Sequence, residues 1–375
     1  MEALRKYIDK IKPNFKKGGK FEKLESTFDA FETFLFVPDK TTIKGSHIRD
    51  NIDMKRTMSI VVLATLPALF FGMWNVGYQH FISQGIVETF LNNFLYGFLK
   101  VLPIIAVTYI TGLTVEFIFA QVRGHEVNEG FLVTGILIPL IIPVTTPLWM
   151  VSLATIFAVI IGKEVFGGTG MNVFNPALLA RAFLFFAYPK YLTGDSVWIA
   201  EKADAFSGAT PLAIIDLGDL SKMPSINELI IGNIPGSIGE TSFISIMIGA
   251  LILLITGIGS WRIMGSVFLG GFLMGTLLDI SGSSLISASE HLFIGGFAFG
   301  AVFMATDPVS ASQTNTGKYI YGLLIGAFAI VIRAFNPGYP EGMMLSILLM
   351  NAFAPLIDYY VIEANIKRRL NRINK

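Results

Sequence analysis

FLKVLPIIAVTYITGLTVEFIFA, residues 98–120, runs for 23 positions with one lysine (Lys100) and one acid (Glu116). A bilayer core of roughly 30 Å needs about 20 apolar residues in a helix, so this stretch is long enough to cross. Nine others read the same way: 57–76, 129–144, 147–166, 172–189, 241–259, 262–281, 291–306, 318–334 and 342–361. Composition agrees, with 53% of the 375 residues hydrophobic, 15% charged and a mean hydropathy of +0.63. Soluble domains carry roughly 25% charged residues. The expected fold is therefore an all-α integral membrane protein of about ten transmembrane helices. The stretches at 129–144 and 291–306 are short and rich in glycine or proline, which predicts broken helices near the midplane.

The charge distribution sets the orientation. Of 28 Lys and Arg, 13 lie in residues 1–56 and five follow residue 361. The loop 190–240 holds three lysines (Lys190, Lys202, Lys222) against seven acids. By the positive-inside rule both termini face the cytoplasm, and the loop lies outside. Five regions follow: a basic cytoplasmic segment (1–56), a first membrane unit (57–189), the extracytoplasmic loop (190–240), a second membrane unit (241–361) and a basic tail (362–375). The N-terminal segment has no apolar run before a small-residue cleavage site, so no cleaved signal is expected. Its amphipathic stretches (Phe28, Phe31, Phe34, Leu35) read as an anchor on anionic lipid or as a docking surface for another subunit. Without cysteine, the chain offers no thiolate to an iron–sulfur cluster and forms no disulfide. The four histidines (His47, His80, His125, His291) are scattered, and their spacing suggests no metal site.

The two membrane units share an ordered pattern. Gly130-Phe131, Pro143, Gly162-Lys163 and Phe174-Asn175-Pro176 recur as Gly296-Phe297, Pro308, Gly317-Lys318 and Phe335-Asn336-Pro337. With five spans in each, the second copy enters the membrane inverted, an arrangement that places sites near the midplane at interrupted helices.

Glu116, Glu126, Glu129, Glu164, Asp279, Asp307, Glu341 and Asp358 lie in or beside apolar spans. A carboxylate there is paired, neutral or part of an ion path. Lys163, Arg181 and Arg333 are available as partners, and Glu116, Asp307, Glu341 and Asp358 are the candidates for binding a cation, since hard alkali ions take oxygen ligands. Asn172 and Asn175 precede Pro176, which suits a helix cap first; an amide there, beside the glycine-rich 167–170 turn, is also placed to hydrogen-bond a flavin ring edge, and the two roles are not exclusive. Ser207-Gly208-Ala209-Thr210 lies in the longest polar stretch between spans, where a hydroxyl can carry a phosphate-linked group to the membrane edge.

Longer strings carry a family resemblance: KEVFGGTG (163–170), FNPAL (174–178), RAFLFFAYP (181–189), SGAT (207–210), GNIPGSIGE (232–240), FMATDPVSAS (303–312) and NPGYPEGMM (336–344). Together, and in this order over nearly the whole chain, they resemble the B-subunit of the sodium-translocating NADH:quinone oxidoreductases, of the NqrB/RnfD family. The resemblance implies a translocase component in a bacterial inner membrane, one of six in the complex. It also implies a flavin mononucleotide (FMN) joined to Thr210 by a phosphoester, with Ser207 and Gly208 shaping the attachment motif. A non-covalent riboflavin and a quinone site are implied in the same chain. Electrons would arrive from a flavinylated neighbour and pass through both flavins to quinone, coupled to Na+ export, while a separate subunit oxidises NADH. Quinone is expected near Gly112 and Glu116, where Gly112-Leu113 replaces the family's two adjacent glycines. No nucleic-acid partner is expected. The related membrane subunit of ferredoxin:NAD oxidoreductase complexes, flavinylated at the equivalent threonine, is one alternative; a solute or ion channel without a redox group is another.

Overall fold

A computed structural model describes residues 52–124, 130–195, 197–203, 206–336, 338 and 341–373, together with much of 2–36 and a few positions up to 48. His47, His125, Glu126, Glu129, Phe31, Phe34, Leu35 and Pro337 lie outside the described residues. The described chain is helical, with no strand. After α1 (Glu2–Ile11), the first unit comprises α2 (Met54–Ser83), α3 (Phe90–Arg123), α4 (Phe131–Leu140), α5 (Leu148–Gly162) and α6 (Pro176–Ala187). The loop between the units holds α7 (Pro211–Asp216) and α8 (Ile226–Ile231). The second unit comprises α9 (Phe243–Ile255), α10 (Trp261–Ile280), the short turns α11 (Glu290–Phe293) and α12 (Phe297–Phe299), α13 (Asn315–Phe335) and α14 (Met343–Ile373).

Six helices among the described residues are long and apolar enough to cross a bilayer, and they include α2, α3, α10, α13 and α14. The sixth is α5 with the turn that follows it, Leu148–Phe166. The helices α4, α6 and α9 are apolar but shorter. At ~1.5 Å per residue, the 10 residues of α4 rise only about 15 Å. The stretch expected at 291–306 is interrupted at 294–296 and continues from α12 as a π-helical turn, Gly300–Met304.

Local signals set the helix ends. Asp53 caps α2 by accepting from the Arg56 amide, Asn175 caps α6 with Pro176 at its first position, and Thr314 caps α13. Gly124, at φ 70°, ends α3.

The long helices are two-faced. On α3, Val101, Ile104, Thr108, Gly112 and Glu116 follow the helical period and are buried, whereas Leu99, Ile110 and Ile118 are exposed. Exposed apolar side chains of this kind also stud α9, α10 and α14 (Ile255, Leu277, Ile280, Leu356), as lipid-facing surfaces require. The interrupted pieces have no such face. Ile138, Leu140 and Ile142 around the end of α4, and Phe297, Phe299, Ala301 and Val302, are wholly buried. Broken backbone at membrane depth is tolerated only where protein shields it. The end of α4 is satisfied from the approach to the second unit, where the Gly239 amide donates to the Leu140 carbonyl at 2.7 Å.

Matching pairs of helices pack in each unit: α3 on α5 and α10 on α13, then α5 on α6 and α13 on α14. Across the units, α2 packs on α9 and α6 on α14. The α10–α13 contact is close enough that a Cβ on Gly326 would collide with the Val267 carbonyl, a small-residue approach that substitutes for hydrophobic driving force inside lipid.

Candidate functional site

Thr210 is the N-cap of α7. Its Oγ1 accepts from the Ala213 amide at 3.3 Å, and Pro211 supplies the preset first turn. The residue is half-buried rather than openly exposed, and it lines a cavity of about 610 Å3. The wall includes Trp198, Lys202, Asp195 and Asp216 from the 190–240 loop, Phe185 and Arg181 from α6, and Glu240, Gly296 and Glu341 from in and around the second unit.

The loop carrying Thr210 is pinned to the membrane helices through residues 197–202. Thr145 Oγ1 donates to the Val197 carbonyl at 2.7 Å, and His80 Nδ1 on α2 donates to the Ala200 carbonyl at 2.8 Å. The ring of His80 stacks on Tyr96 with centroids 4.0 Å apart. Glu201 takes hydrogen bonds from Lys100 Nζ at 2.5 Å and from the Tyr96 hydroxyl at 2.9 Å, both on α3. It is the one described non-glycine residue at positive φ (49°), so the clamp holds a disfavoured backbone. The Lys100 hydrogen bond, then that of Tyr96, keeps the exposed Glu201 carboxyl below its ordinary value. The Lys202 ammonium donates to the carbonyls of Phe206 at 3.1 Å and Asp195 at 3.4 Å. Gly208 packs so tightly on that same Asp195 carbonyl that a Cβ there would collide with it.

A buried ionic cluster forms one wall of the cavity. Arg181 donates through Nη1 to Glu240 Oε1 at 2.8 Å and through Nη2 to Glu341 Oε2. Ser237 Oγ donates to the second Glu240 oxygen at 2.6 Å. Both carboxylates crowd Gly296, the residue before α12; a Cβ there would collide with Glu240 Oε1 and approach Glu341 Oε1 to 2.6 Å. Arg333, expected as a carboxylate partner, feels the charge of Glu341 and donates to the His291 carbonyl at 2.7 Å and the Ile294 carbonyl at 3.1 Å. It thereby satisfies acceptors freed by the break between α11 and α12.

The remaining expected residues fall elsewhere. Asn172, Asn175, Lys163, Thr169 and Asp307 line a second, smaller cavity of about 90 Å3 between the two units. Asn175 Oδ1 caps α6 through the amides of Ala177 and Leu178, and Asn172 Nδ2 donates to the Phe174 carbonyl at 3.0 Å. Glu116 is buried and ion-paired with Lys163; Gly112, one turn earlier, packs against the ring of Phe131. Asp358 accepts from Ser312 Oγ, the Gln313 amide and both the amide and hydroxyl of Thr314, at 2.6–2.9 Å. Asp307 accepts from Ser310 Oγ at 2.7 Å and the Val309 amide at 3.2 Å. The four sodium candidates thus sit in separate polar clusters, and no group of three or more His, Asp or Glu poised to hold a metal occurs among the described residues.

Comparison with known proteins places the chain in a family. The model of the NQR2, RnfD, RnfE family matches residues 41–367. The B-subunit of the Na(+)-translocating NADH-quinone reductase of Ectopseudomonas mendocina (strain ymp) is 49% identical over 402 aligned positions, covering 99% of both chains. The corresponding B-subunits of Stutzerimonas stutzeri (strain A1501) and Azotobacter vinelandii (strain DJ / ATCC BAA-1303) are 48% and 47% identical at the same coverage.

Proposed function

Since the chain belongs to the NQR2, RnfD, RnfE family, we propose that it is the membrane subunit of a redox-driven sodium pump that delivers electrons to quinone. End-to-end identity of 47–49% with Na(+)-translocating NADH-quinone reductase B-subunits favours this over the ferredoxin-linked relative. Its partners are then the other subunits of a six-subunit complex, including a flavinylated neighbour and the NADH-oxidising subunit, together with quinone, Na+ and lipid.

The observation that carries the reading is the cavity beside Thr210. Its volume of about 610 Å3 lies within the roughly 300–1,000 Å3 of cofactor sites. Thr210 lines it, Trp198 and Phe185 offer apolar surface for a ring, and Lys202 offers a cation. These residues fit an FMN esterified to Thr210. Bound there, the flavin supplies reversible electron uptake and release, and the covalent link keeps it in place as its charge changes. The protein's part is to hold that group: α7 fixes the Thr210 backbone, the close seat of Gly208 shapes the turn, and the Glu201 clamp ties the loop to α3.

For riboflavin, the amides of Asn172 and Asn175 beside Lys163 and Thr169 suit the polar edge of the ring. The space of about 90 Å3 does not hold the whole molecule with the side chains as they stand. The quinone is assigned to the neighbourhood of Gly112 and Glu116, and sodium to the carboxylates Glu116, Asp307, Glu341 and Asp358. Glu116 is held by Lys163, so its part in ion movement requires that pair to open.

The architecture assigned is two inverted five-helix repeats, 57–189 and 241–361, with both termini cytoplasmic in a bacterial inner membrane. Supporting it are the matched helix contacts of the two units and the burial of α4 and of the α12 turn at equivalent places. The test of function is Thr210→Val in the purified complex. The variant is expected to assemble, lose the covalent fluorescence of this chain on a denaturing gel and lose quinone reduction. Fluorescence that persists in the variant refutes attachment at Thr210.

A further inference from the structure

Among the described residues that line the large cavity, two are cationic: Arg181 and Lys202. Arg181 is committed, with a carboxylate on each arm of its guanidinium. Lys202 is not; it donates to the main-chain carbonyls of Asp195 and Phe206, and neither carries a charge. An ammonium has three donors, and these two bonds leave one. The lining also includes Asp195, Asp216, Glu240 and Glu341. A phosphodiester on Thr210 would bring a further negative charge into a cavity already weighted toward acid.

The position of Lys202 also follows from the loop. Its neighbours in sequence, Ala200 and Glu201, are tied to α2 and α3, and Glu201 is held at φ 49° to make that tie. The ammonium then reaches back under the chain to the carbonyl of Phe206, next to Ser207, and to the Asp195 carbonyl on which Gly208 rests. One side chain therefore links the membrane-anchored segment to the turn that presents Thr210.

We propose that Lys202 is the positioning residue of the attachment loop, fastening the turn that carries Thr210 and supplying the cation that faces the phosphate esterified there. This assignment rests on the reading of Thr210 as the attachment residue. It concerns the protein's own contribution, the resemblance implying that a separate flavin-attaching enzyme forms the bond.

The experiment uses the complex purified from cells containing the flavin-attaching enzyme, as wild type, Lys202→Gln, Lys202→Arg and Thr210→Val. Two quantities are read: covalent flavin per chain against time after induction, and the midpoint potential of the flavin on this chain. A charge-assisted hydrogen bond in a half-buried site is worth about a factor of ten. Lys202→Gln is therefore expected to assemble but to accumulate covalent flavin roughly tenfold more slowly, and to lower the potential of the flavin it does carry. Lys202→Arg is expected to restore both. Lys202→Met, which keeps the aliphatic stem, replaces the glutamine variant if that one fails to assemble. Wild-type kinetics and potential without the charge overturn the proposal, as does failure of arginine to restore them. A wild-type chain without flavin at Thr210 overturns the attachment reading itself, and the Thr210→Val control separates that case from the others.

Discussion

Removing Arg181 is the sharpest perturbation of the cavity. Its side chain is 5% exposed, and those of Glu240 and Glu341 are 7% and 11% exposed. It bonds one carboxylate preceding α9 and one preceding α14, so it joins the start of two helices to the middle of α6. Taking away one partner of a buried ion pair costs about 3–5 kcal/mol, because the remaining charge is left buried and uncompensated. Arg181→Met removes the cation that two carboxylates beside Gly296 share, while Glu240 keeps the Ser237 hydroxyl, so the loss is expected within that range, about 3–5 kcal/mol. Replacing all three charged groups by neutral ones of similar size is far less costly, since the desolvation penalty disappears with the charges. The triple variant Arg181→Met, Glu240→Gln, Glu341→Gln is thus expected within about 2 kcal/mol of wild type. Equilibrium unfolding of the purified chain in mixed detergent micelles, followed by tryptophan fluorescence, measures all of these. An Arg181→Met variant within about 0.5 kcal/mol of wild type, the range of an ordinary surface substitution, would refute the reasoning. So would a triple variant no better than the single one.

Gly296→Ala forces a methyl group into Glu240 Oε1 and against Glu341 Oε1; a loss of about 1–3 kcal/mol is expected from overpacking, and the same substitution made in a Glu240→Ala background should cost less than it does in wild type. Asn175→Ala removes the cap of α6 and should cost about 1 kcal/mol; if its amide also meets riboflavin, the variant loses extractable flavin while covalent flavin stays. The Glu201 clamp is pH-dependent with a definite sign. Its carboxyl is held below the ordinary 4.5 by Lys100 and Tyr96, so its contribution is present above that value and is lost as pH falls through the lowered one. Proteolytic nicking of the 190–210 loop should therefore be flat from neutrality to about pH 5 and rise below it, whereas Glu201→Gln should nick readily at every pH. A wild-type chain with no acid-dependent rise counts against the clamp.

Much of the membrane architecture was legible because length and apolarity are local properties. The stretch 98–120 falls within α3, and the glycine- and proline-rich stretches at 129–144 and 291–306 hold the short α4 and the interrupted α11–α12. Boundaries were less legible: α9 ends at Ile255, short of the expected 259, where Gly257 takes a positive φ of 72°. The polar pairings were only partly readable. Lys163 and Arg181 stood out as buried cations, yet nothing local assigns Glu116 to one or Glu240 and Glu341 to the other. Those partners are 47, 59 and 160 positions away, on other helices or loops: Glu116 meets Lys163 when α3 and α5 pack, and Glu341 meets Arg181 only when the two units do. Arg333 looked like another ion-pair partner, and its role at the helix break depends on carbonyls 42 and 39 positions away. His80, Tyr96 and Lys100 carried no signal at all, because their target is one short segment of a loop whose course the sequence does not encode locally.

Thr210 is the residue on which the proposed electron route depends. Digestion of the purified complex and mass measurement of the peptide spanning 203–222 tests its role most directly. A peptide heavier by one esterified flavin mononucleotide, with fragment ions assigning the addition to Thr210, is the result expected. An unmodified peptide from a complex that was active and matured alongside its flavin-attaching enzyme would contradict it.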